Sequence, residues 1–394
     1  RLINTGINDN GRNNIKCFSA QKRPEMLEKK RALIASGGTG GHFYPGFALA
    51  VELRARGWQS LFLVKKEDIA LPALEEADFP YAELDMVSLP RSLNPLAYAV
   101  FLFKFFKSLA LALRIMKDFR PCVLIGTGSY VAFPAALAAR MAGVPVYLHE
   151  SNAKFGLGNY LTGFFCRRAA LGLPVKYNSF KSKSVLSGTP IRETFRGAPA
   201  RAAARRALGL DTEKFTALVF GGSQGARRLN AAFISAAKAL KGDLQAVHLT
   251  GGKNFEAVKS AYSAAGLEGA PGLEIFDYRE DMPTLYAAAD LVISRAGAGT
   301  VAELAQLRKP AILVPLPSSA GGHQKANALA LSESGAALCL EEGPDLDAEL
   351  AAALRNFMDN PDKAAEMAAR LEKAGIPRGL EAAAALADLI EKGD

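Results

Sequence analysis

Residues 31–42 read RALIASGGTGGH, and residues 216–227 read TALVFGGSQGAR. Each stretch is a short apolar run that breaks into glycines ahead of a longer helical pattern. A strand that ends in a glycine-rich turn and feeds a helix opens a doubly wound parallel sheet, so the repeated opening predicts two such domains. Outward from the first turn, strands are predicted at Ala32–Ser36, Leu61–Lys65, Val123–Gly126 and Val144–His149, with helices such as Tyr44–Arg56 and Val131–Ala142 between them. Outward from the second, they are predicted at Thr216–Phe220, Gln245–Leu249, Leu273–Phe276, Leu291–Ser294 and Ala311–Val314. Strands rich in Val, Ile and Leu that alternate with helices imply parallel sheets covered on both faces. The expected fold is α/β, two doubly wound domains facing a cleft, with ligands beyond the carboxyl ends of the strands.

The halves meet near Gly188–Pro199, where Gly188, Thr189, Pro190, Gly197 and Pro199 punctuate the chain as a linker. This sets an N-terminal domain over 26–188 and a C-terminal domain over 200–376. An Ala-rich helix in 377–394 is free to pack back on the first domain. Residues 1–25 are polar and are expected to be a disordered extension outside the fold.

The 394 residues are 49% hydrophobic and 22% charged, which excludes a disordered tail or a small disulfide scaffold. Cys17, Cys122, Cys166 and Cys339 are far apart and form no CxxC, so neither a zinc site nor a disulfide framework is supported. The net charge of +9 favours acidic partners. Aromatic residues are not interleaved with Lys/Arg runs and no nucleic-acid motif occurs, which leaves phosphates and anionic lipid and argues against nucleic acid.

In Ser36–His42 four glycines fall within five residues, more than a tight turn needs. Glycines let a backbone approach a phosphate closely, and the following helix offers free amides and a positive dipole end. A dinucleotide fingerprint fails here. Phe43 takes the third glycine position, and the next strand ends at Lys65 and Lys66, with Glu67 only beyond them. The turn Gly221–Arg227 fails the same test, because Phe220 stands at the first glycine position. A third loop, Arg295–Thr300, precedes the run TVAELAQL and places Glu303 in the first turn of a helix. There Glu303 either complements the helix dipole or accepts bonds from two ribose hydroxyls. Of four histidines, His42, His149 and His323 fall at strand–loop edges facing the expected cleft, whereas His248 reads as a hydrogen-bonded sheet residue. No histidine pair has metal-ligand spacing, so no metal site is expected.

Pro95–Phe119 is the most apolar stretch. Lys104, Lys107 and Arg114 interrupt it, so a membrane span is not expected. At 100° per residue, Lys104, Lys107, Arg114 and Lys117 share one face, and Leu102, Phe105, Phe106, Leu109, Leu113 and Met116 form the expected core stripe. Phe103, Leu111 and Ile115 fall among the cations, a pattern suited to the headgroup boundary of an anionic bilayer.

Seven ordered motifs carry a resemblance: GGTGGH (37–42), GSYVAFPAALAA (128–139), HESNAKFGLGN (149–159), GTPIR (188–192), GGSQGARRLN (221–230), DMPTLYAAADLVISRAGAGTVAEL (281–304) and GGHQKANA (321–328). Together they resemble the MurG family, membrane-associated N-acetylglucosaminyltransferases of peptidoglycan synthesis. The resemblance runs from about Arg31 to Ala337 and more weakly beyond. It implies a GT-B fold of two Rossmann-like domains and a hexosyltransferase at the cytoplasmic face of the cell membrane. UDP-N-acetylglucosamine is the implied donor, undecaprenyl-pyrophosphoryl-MurNAc-pentapeptide (lipid I) the acceptor and lipid II the product, with no further cofactor. Its donor contacts fall on Thr39, Gly40, Gly41, Asn152, Arg192 and Ser223. They continue through Ala298, Gly299, Thr300, Val301, Ala302 and Glu303 to Gln324 and Asn327. Its acceptor side falls on His42, Tyr130, His149 and Glu150. The sequence departs from the family pattern at Ser129, Ala132, Ser151, Gly299, Ala302 and Gly322.

An inverting transfer asks for a general base on the acceptor hydroxyl and positive potential at the departing pyrophosphate. His42 is the candidate base because it ends the acceptor-side turn and titrates near neutrality. Glu150 is the rival, or alternatively orients His149. Arg192 and the helix starts after Ser223 and Gly299 supply the positive potential.

Overall fold

The computed structural model describes residues 5–7, 13–15, 30–87, 89–90, 94–222, 225–240 and 242–393. These form two compact units: one runs to Ile191 and takes in Glu381 onward, and the other spans Arg192–Leu380. Of the opening stretch, Thr5–Ile7 and Asn13–Ile15 pair antiparallel, and the rest of 1–25 lies outside the described residues.

The first unit carries a seven-stranded sheet in the order Tyr81–Leu84, Gln59–Lys65, Arg31–Ala35, Val123–Gly126, Val146–Glu150, Arg168–Leu171, Ser184–Leu186. Every neighbouring pair is parallel. The order reverses between Arg31–Ala35 and Val123–Gly126, which is where a doubly wound sheet opens a crevice for ligands. The strand expected from Val144 begins at Val146, because Pro145 has no N–H for the ladder and serves only as an acceptor, from Leu124 N at 3.0 Å. One core lies on each face. Leu33, Leu63, Leu124 and Leu148 pack under the helices Pro95–Phe119 and Ala132–Met141. Ile34, Phe62, Val64 and Ile125 pack with Leu49 and Leu53 of the helix Gly40–Ala55 and with Leu386, Ala387 and Ile390 of the helix Gly379–Lys392. The C-terminal helix is also tied through Glu391, which accepts from Trp58 Nε1 at 3.0 Å and from Arg56 at 3.0 Å.

The second unit repeats the plan with six parallel strands: Leu273–Phe276, Gln245–Leu249, Thr216–Phe220, Leu291–Ser294, Ala311–Leu313, Leu338–Cys339. Its order reverses between Thr216–Phe220 and Leu291–Ser294. The helices Arg227–Ala239 and Leu346–Asp359 cover one face through Leu229, Phe233, Leu350 and Leu354.

Candidate active site

In the first unit three loops meet beyond the carboxyl ends of adjacent strands: Ser36–Thr39, Thr127–Val131 and Ser151–Gly156. The helix after the first begins at Gly40, not Tyr44, because Thr39 is already extended (φ −149°, ψ 157°) as its N-cap. Gly40, Gly41 and His42 are therefore its first turn; the Gly40 and Gly41 amides have no preceding helical carbonyl to reach, whereas the His42 amide already donates to the Thr39 carbonyl at 3.1 Å. Two hydroxyls clamp the His42 backbone. Ser36 Oγ donates to its carbonyl at 3.0 Å and Thr127 Oγ1 at 2.7 Å. The His42 ring lies with Nδ1 3.0 Å from the Thr127 carbonyl. A carbonyl only accepts, so in the neutral ring Nδ1 carries the proton and Nε2 is the basic nitrogen. Gly128 makes the space: a Cβ there would stand 2.7 Å from His42 Nδ1, and its φ of +103° is one that side chains rarely adopt.

The acidic residue sought at the end of the second strand is present as Asp68, but it is sealed beneath the glycine turn. Its Oδ2 accepts the Gly38 amide at 2.6 Å and its Oδ1 accepts from Ala70 at 3.0 Å, and it is 6% exposed. It cannot hold a ribose from there, and the Gly38 amide is committed to it rather than to a phosphate.

Two acceptor-side readings are corrected. Glu150 is buried and engaged on both oxygens: Oε1 accepts from Asn152 N and Nδ2, at 3.0 and 2.9 Å, and Oε2 from Gly156 N and Asn159 Nδ2, at 2.9 and 3.0 Å. A carboxylate with four donors around it anchors the loop and is poorly disposed to take a substrate proton. Nor does it orient His149, whose ring contacts the Gly188 carbonyl at 3.0 Å and Ser151 Oγ at 3.3 Å. His149 is 0% exposed, and burial depresses its pKa, so it faces no solvent-lined space. Tyr130, Thr39 and Gly41 are exposed, and Gly40, His42 and Asn152 are half-buried.

In the second unit the turn Gly221–Ala226 follows the strand at the switch point. Ser223, a candidate donor contact, lies outside the described residues. Gly225 must be glycine there, since its φ is +69° and a Cβ would meet the Thr250 carbonyl at 2.3 Å. The loop Arg295–Gly297 follows the neighbouring strand and leads into the helix Ala298–Leu307. Along that helix the side chains of Ala298, Val301 and Ala302 are buried, so of the six expected donor contacts only Gly299, Thr300 and Glu303 turn their side-chain positions outward, and the other three could meet a donor only through their backbone. Asn327 is corrected too. It is 0% exposed and its Nδ2 donates to the Ala296 carbonyl at 3.0 Å, so it holds the loop from behind. Gln324 accepts from Leu316 N at 2.9 Å at the start of the helix His323–Ser332. The departure at Gly322 fits a φ of +72°.

Glu303 is the electrostatic centre of this unit. Burial pushes its carboxyl up to about 7, and a hydrogen bond from Tyr286 and the nearby Arg192 charge pull it back down. The Tyr286 hydroxyl donates to Glu303 Oε2 at 2.9 Å. Arg192 lies over the Phe195 ring at 5.7 Å. His248, as expected for a sheet histidine, bonds Tyr262 at 2.8 Å and Asn230 at 3.1 Å, and burial lowers its pKa to about 3. Sequence reasoning missed Asp68, Gly128 and Tyr286. Gly128 and Tyr286 lie inside quoted motifs, but only the fold brings them to their partners.

Two parallel-sheet α/β units, each with a glycine turn at its switch point, define the GT-B class of glycosyltransferases. Residues 32–171 match the glycosyltransferase family 28 N-terminal domain and residues 216–382 its C-terminal domain. The chain belongs to the MurG family within these glycosyltransferases. It is 38% identical over 365 residues, 92% of this chain and 99% of its relative, to the UDP-N-acetylglucosamine–N-acetylmuramyl-(pentapeptide) pyrophosphoryl-undecaprenol N-acetylglucosamine transferase of Elusimicrobium minutum. It is 36% identical over 352 residues, 88% of this chain and 94% of the relative, to the transferase of the same name from Syntrophus aciditrophicus. The crystal structure of Acinetobacter baumannii MurG superposes with a TM-score of 0.76 at 30% identity, covering 92% of this chain and 99% of that one.

Proposed function

We infer that this enzyme transfers N-acetylglucosamine from UDP-N-acetylglucosamine to the MurNAc 4-hydroxyl of lipid I, with inversion, giving lipid II for peptidoglycan synthesis. The observation that carries this reading is the match along nearly the whole chain to transferases named for that reaction. In the step, the acceptor oxygen forms a bond to the anomeric carbon as the bond to UDP breaks, and the hydroxyl proton passes to a base. Support for His42 as that base is its tautomer: Thr127 holds the Nδ1 proton, so Nε2 receives the new one. Glu303 takes the ribose hydroxyls of the donor. Arg192 and the amino end of the helix Ala298–Leu307 offset the charge that builds on the leaving pyrophosphate. Incubation with UDP-N-acetylglucosamine and a soluble lipid I analogue should yield the β-linked disaccharide product. Hydrolysis of the donor alone, or transfer only to diacylglycerol, would sink the reading.

The acceptor is lipid-linked, so the enzyme must reach a membrane, and we propose the anionic inner leaflet. Pro95–Phe119 is long and apolar enough to span by composition, with a mean hydropathy of 1.8 in its most apolar window. One face packs on the core through Phe105, Ala112, Met116 and Phe119, three of them in the C-terminal half. Leu111 and Ile115 also pack there, which removes them from the membrane-facing set, and Leu102 and Phe106 leave the core stripe because they are exposed. The apolar face open to lipid is instead the N-terminal half: Leu96 (70% exposed), Val100, Leu102, Phe103 (71%) and Phe106 (61%). Lys107, Arg114 and Lys117 are exposed on the same helix, while Lys104 pairs with Asp85 at 2.8 Å. Each large side chain moved into acyl chains contributes about 1.5–3 kcal/mol, so a few suffice for peripheral binding with cations at the headgroups.

A further inference from the structure

Tyr286 is 0% exposed, in the helix Met282–Ala288, seventeen residues before the glutamate it touches. Its ring is caught edge-on between Phe195 and Phe220, each with its centroid 5.9 Å away. Both phenylalanines are buried, so the phenol has one orientation and its hydroxyl one target, Glu303 Oε2 at 2.9 Å. A glutamate side chain otherwise has three rotatable bonds, and ordering it on binding costs affinity. Holding one carboxylate oxygen also restricts where the other can point, because the two share one planar group. Arg192, whose guanidinium lies 5.7 Å from the Phe195 ring centroid, is a charged group that bears on this pair.

We infer that Tyr286 is a positioning residue of the donor site: through Oε2 it pre-orders Glu303 so that the other oxygen meets the ribose diol, which makes Tyr286 a determinant of ribose selectivity although it touches no substrate. This rests on Glu303 being the ribose acceptor. The competing view is that a buried phenol merely needs a partner. In that case, losing the hydroxyl would alter stability and leave nucleotide discrimination intact.

The test is calorimetric titration of the full-length protein with UDP and with 2′-deoxy-UDP, using wild type, Tyr286→Phe, Glu303→Gln and the double variant. Phe keeps the ring packing, so the fold is retained, and thermal melts check this. Wild type should prefer UDP by about tenfold, the size expected for a hydrogen bond to a charged group. Tyr286→Phe should cut that preference to about twofold or less, with the binding midpoint in pH moving upward because the carboxylate loses a donor. The double variant should discriminate no worse than Glu303→Gln alone. If Tyr286→Phe keeps the full preference while Glu303→Gln loses it, the positioning role is wrong and the ribose reading stands. If wild type itself shows no preference, the ribose reading falls and this inference falls with it.

Discussion

The two glycine turns occupy the same place in their sheets, yet their chemistry is opposite. At Ser36–His42 the nearest carboxylate, Asp68, is turned inward onto the Gly38 amide, and an imidazole of defined tautomer stands at the start of the helix. Beside the turn Gly221–Ala226, the next loop leads to a helix whose glutamate is half-buried, its carboxyl pushed by that burial up to about 7. One unit hides its acid and presents an imidazole, the proposed base. The other presents its acid and hides the phenol that holds it. On the proposed reading, the same βα turn would serve proton transfer in one half and nucleotide recognition in the other, according to which side chain the neighbouring strands press against it.

The largest effect that bears on this contrast is on turnover. His42→Ala should lower kcat by about 10²–10⁴, the usual contribution of a general base. A loss of less than about threefold in a steady-state assay would remove His42 from that role. Next is donor binding: Glu303→Ala should weaken UDP-N-acetylglucosamine about 10–100-fold, as expected for hydrogen bonds to a charged group, with a smaller change in kcat. An unchanged Kd by calorimetry would remove Glu303 from the ribose site; a dipole role is no fallback, because the helix starts at Ala298 and Glu303 lies beyond its first turn, not within it as expected.

Membrane binding tests the first unit alone. The triple variant Leu102→Ser, Phe103→Ser, Phe106→Ser should lose most of its co-sedimentation with anionic vesicles, while Leu111→Ser and Ile115→Ser should instead lower thermal stability. Equal vesicle binding by wild type and the folded triple variant would refute the role of this face.

The smallest effect is pH-dependent. Burial holds the free Glu303 at about 7, above its ordinary value, and ribose hydroxyls favour the ionised form. Binding therefore releases a proton below that pH. Affinity for UDP-N-acetylglucosamine, whose phosphates are ionised throughout, should rise as pH climbs from 6 toward 7 and level above it. Glu303→Gln should flatten the profile. A wild-type profile flat from pH 6 to 8 would contradict the assignment.

Much of this was legible in the sequence because strand and helix periodicities are local. Thr216–Phe220, Gln245–Leu249 and Leu291–Ser294 fall where the apolar runs end. The strands Tyr81–Leu84, Arg168–Leu171, Ser184–Leu186 and Leu338–Cys339 were not legible, since YAEL, RAAL, SVL and LC are too short and too mixed to stand out as apolar runs. Glu303 and His42 could be singled out because each sits beside its own glycine turn. Their partners could not: Thr127 is 85 residues from His42, Tyr286 lies on a different helix from Glu303, and Asp68 reaches back 30 residues to Gly38. Helical phase alone also misjudged Leu111 and Ile115, because a partly covered helix has a core side set by its neighbours and not by where its cations fall.

Titration of UDP-N-acetylglucosamine into His42→Ala and Glu303→Ala, side by side with wild type, tests the division between the two turns most directly. The account predicts that His42→Ala binds the donor within about twofold of wild type while Glu303→Ala binds it at least tenfold more weakly. Equal loss of donor affinity in both variants would contradict it.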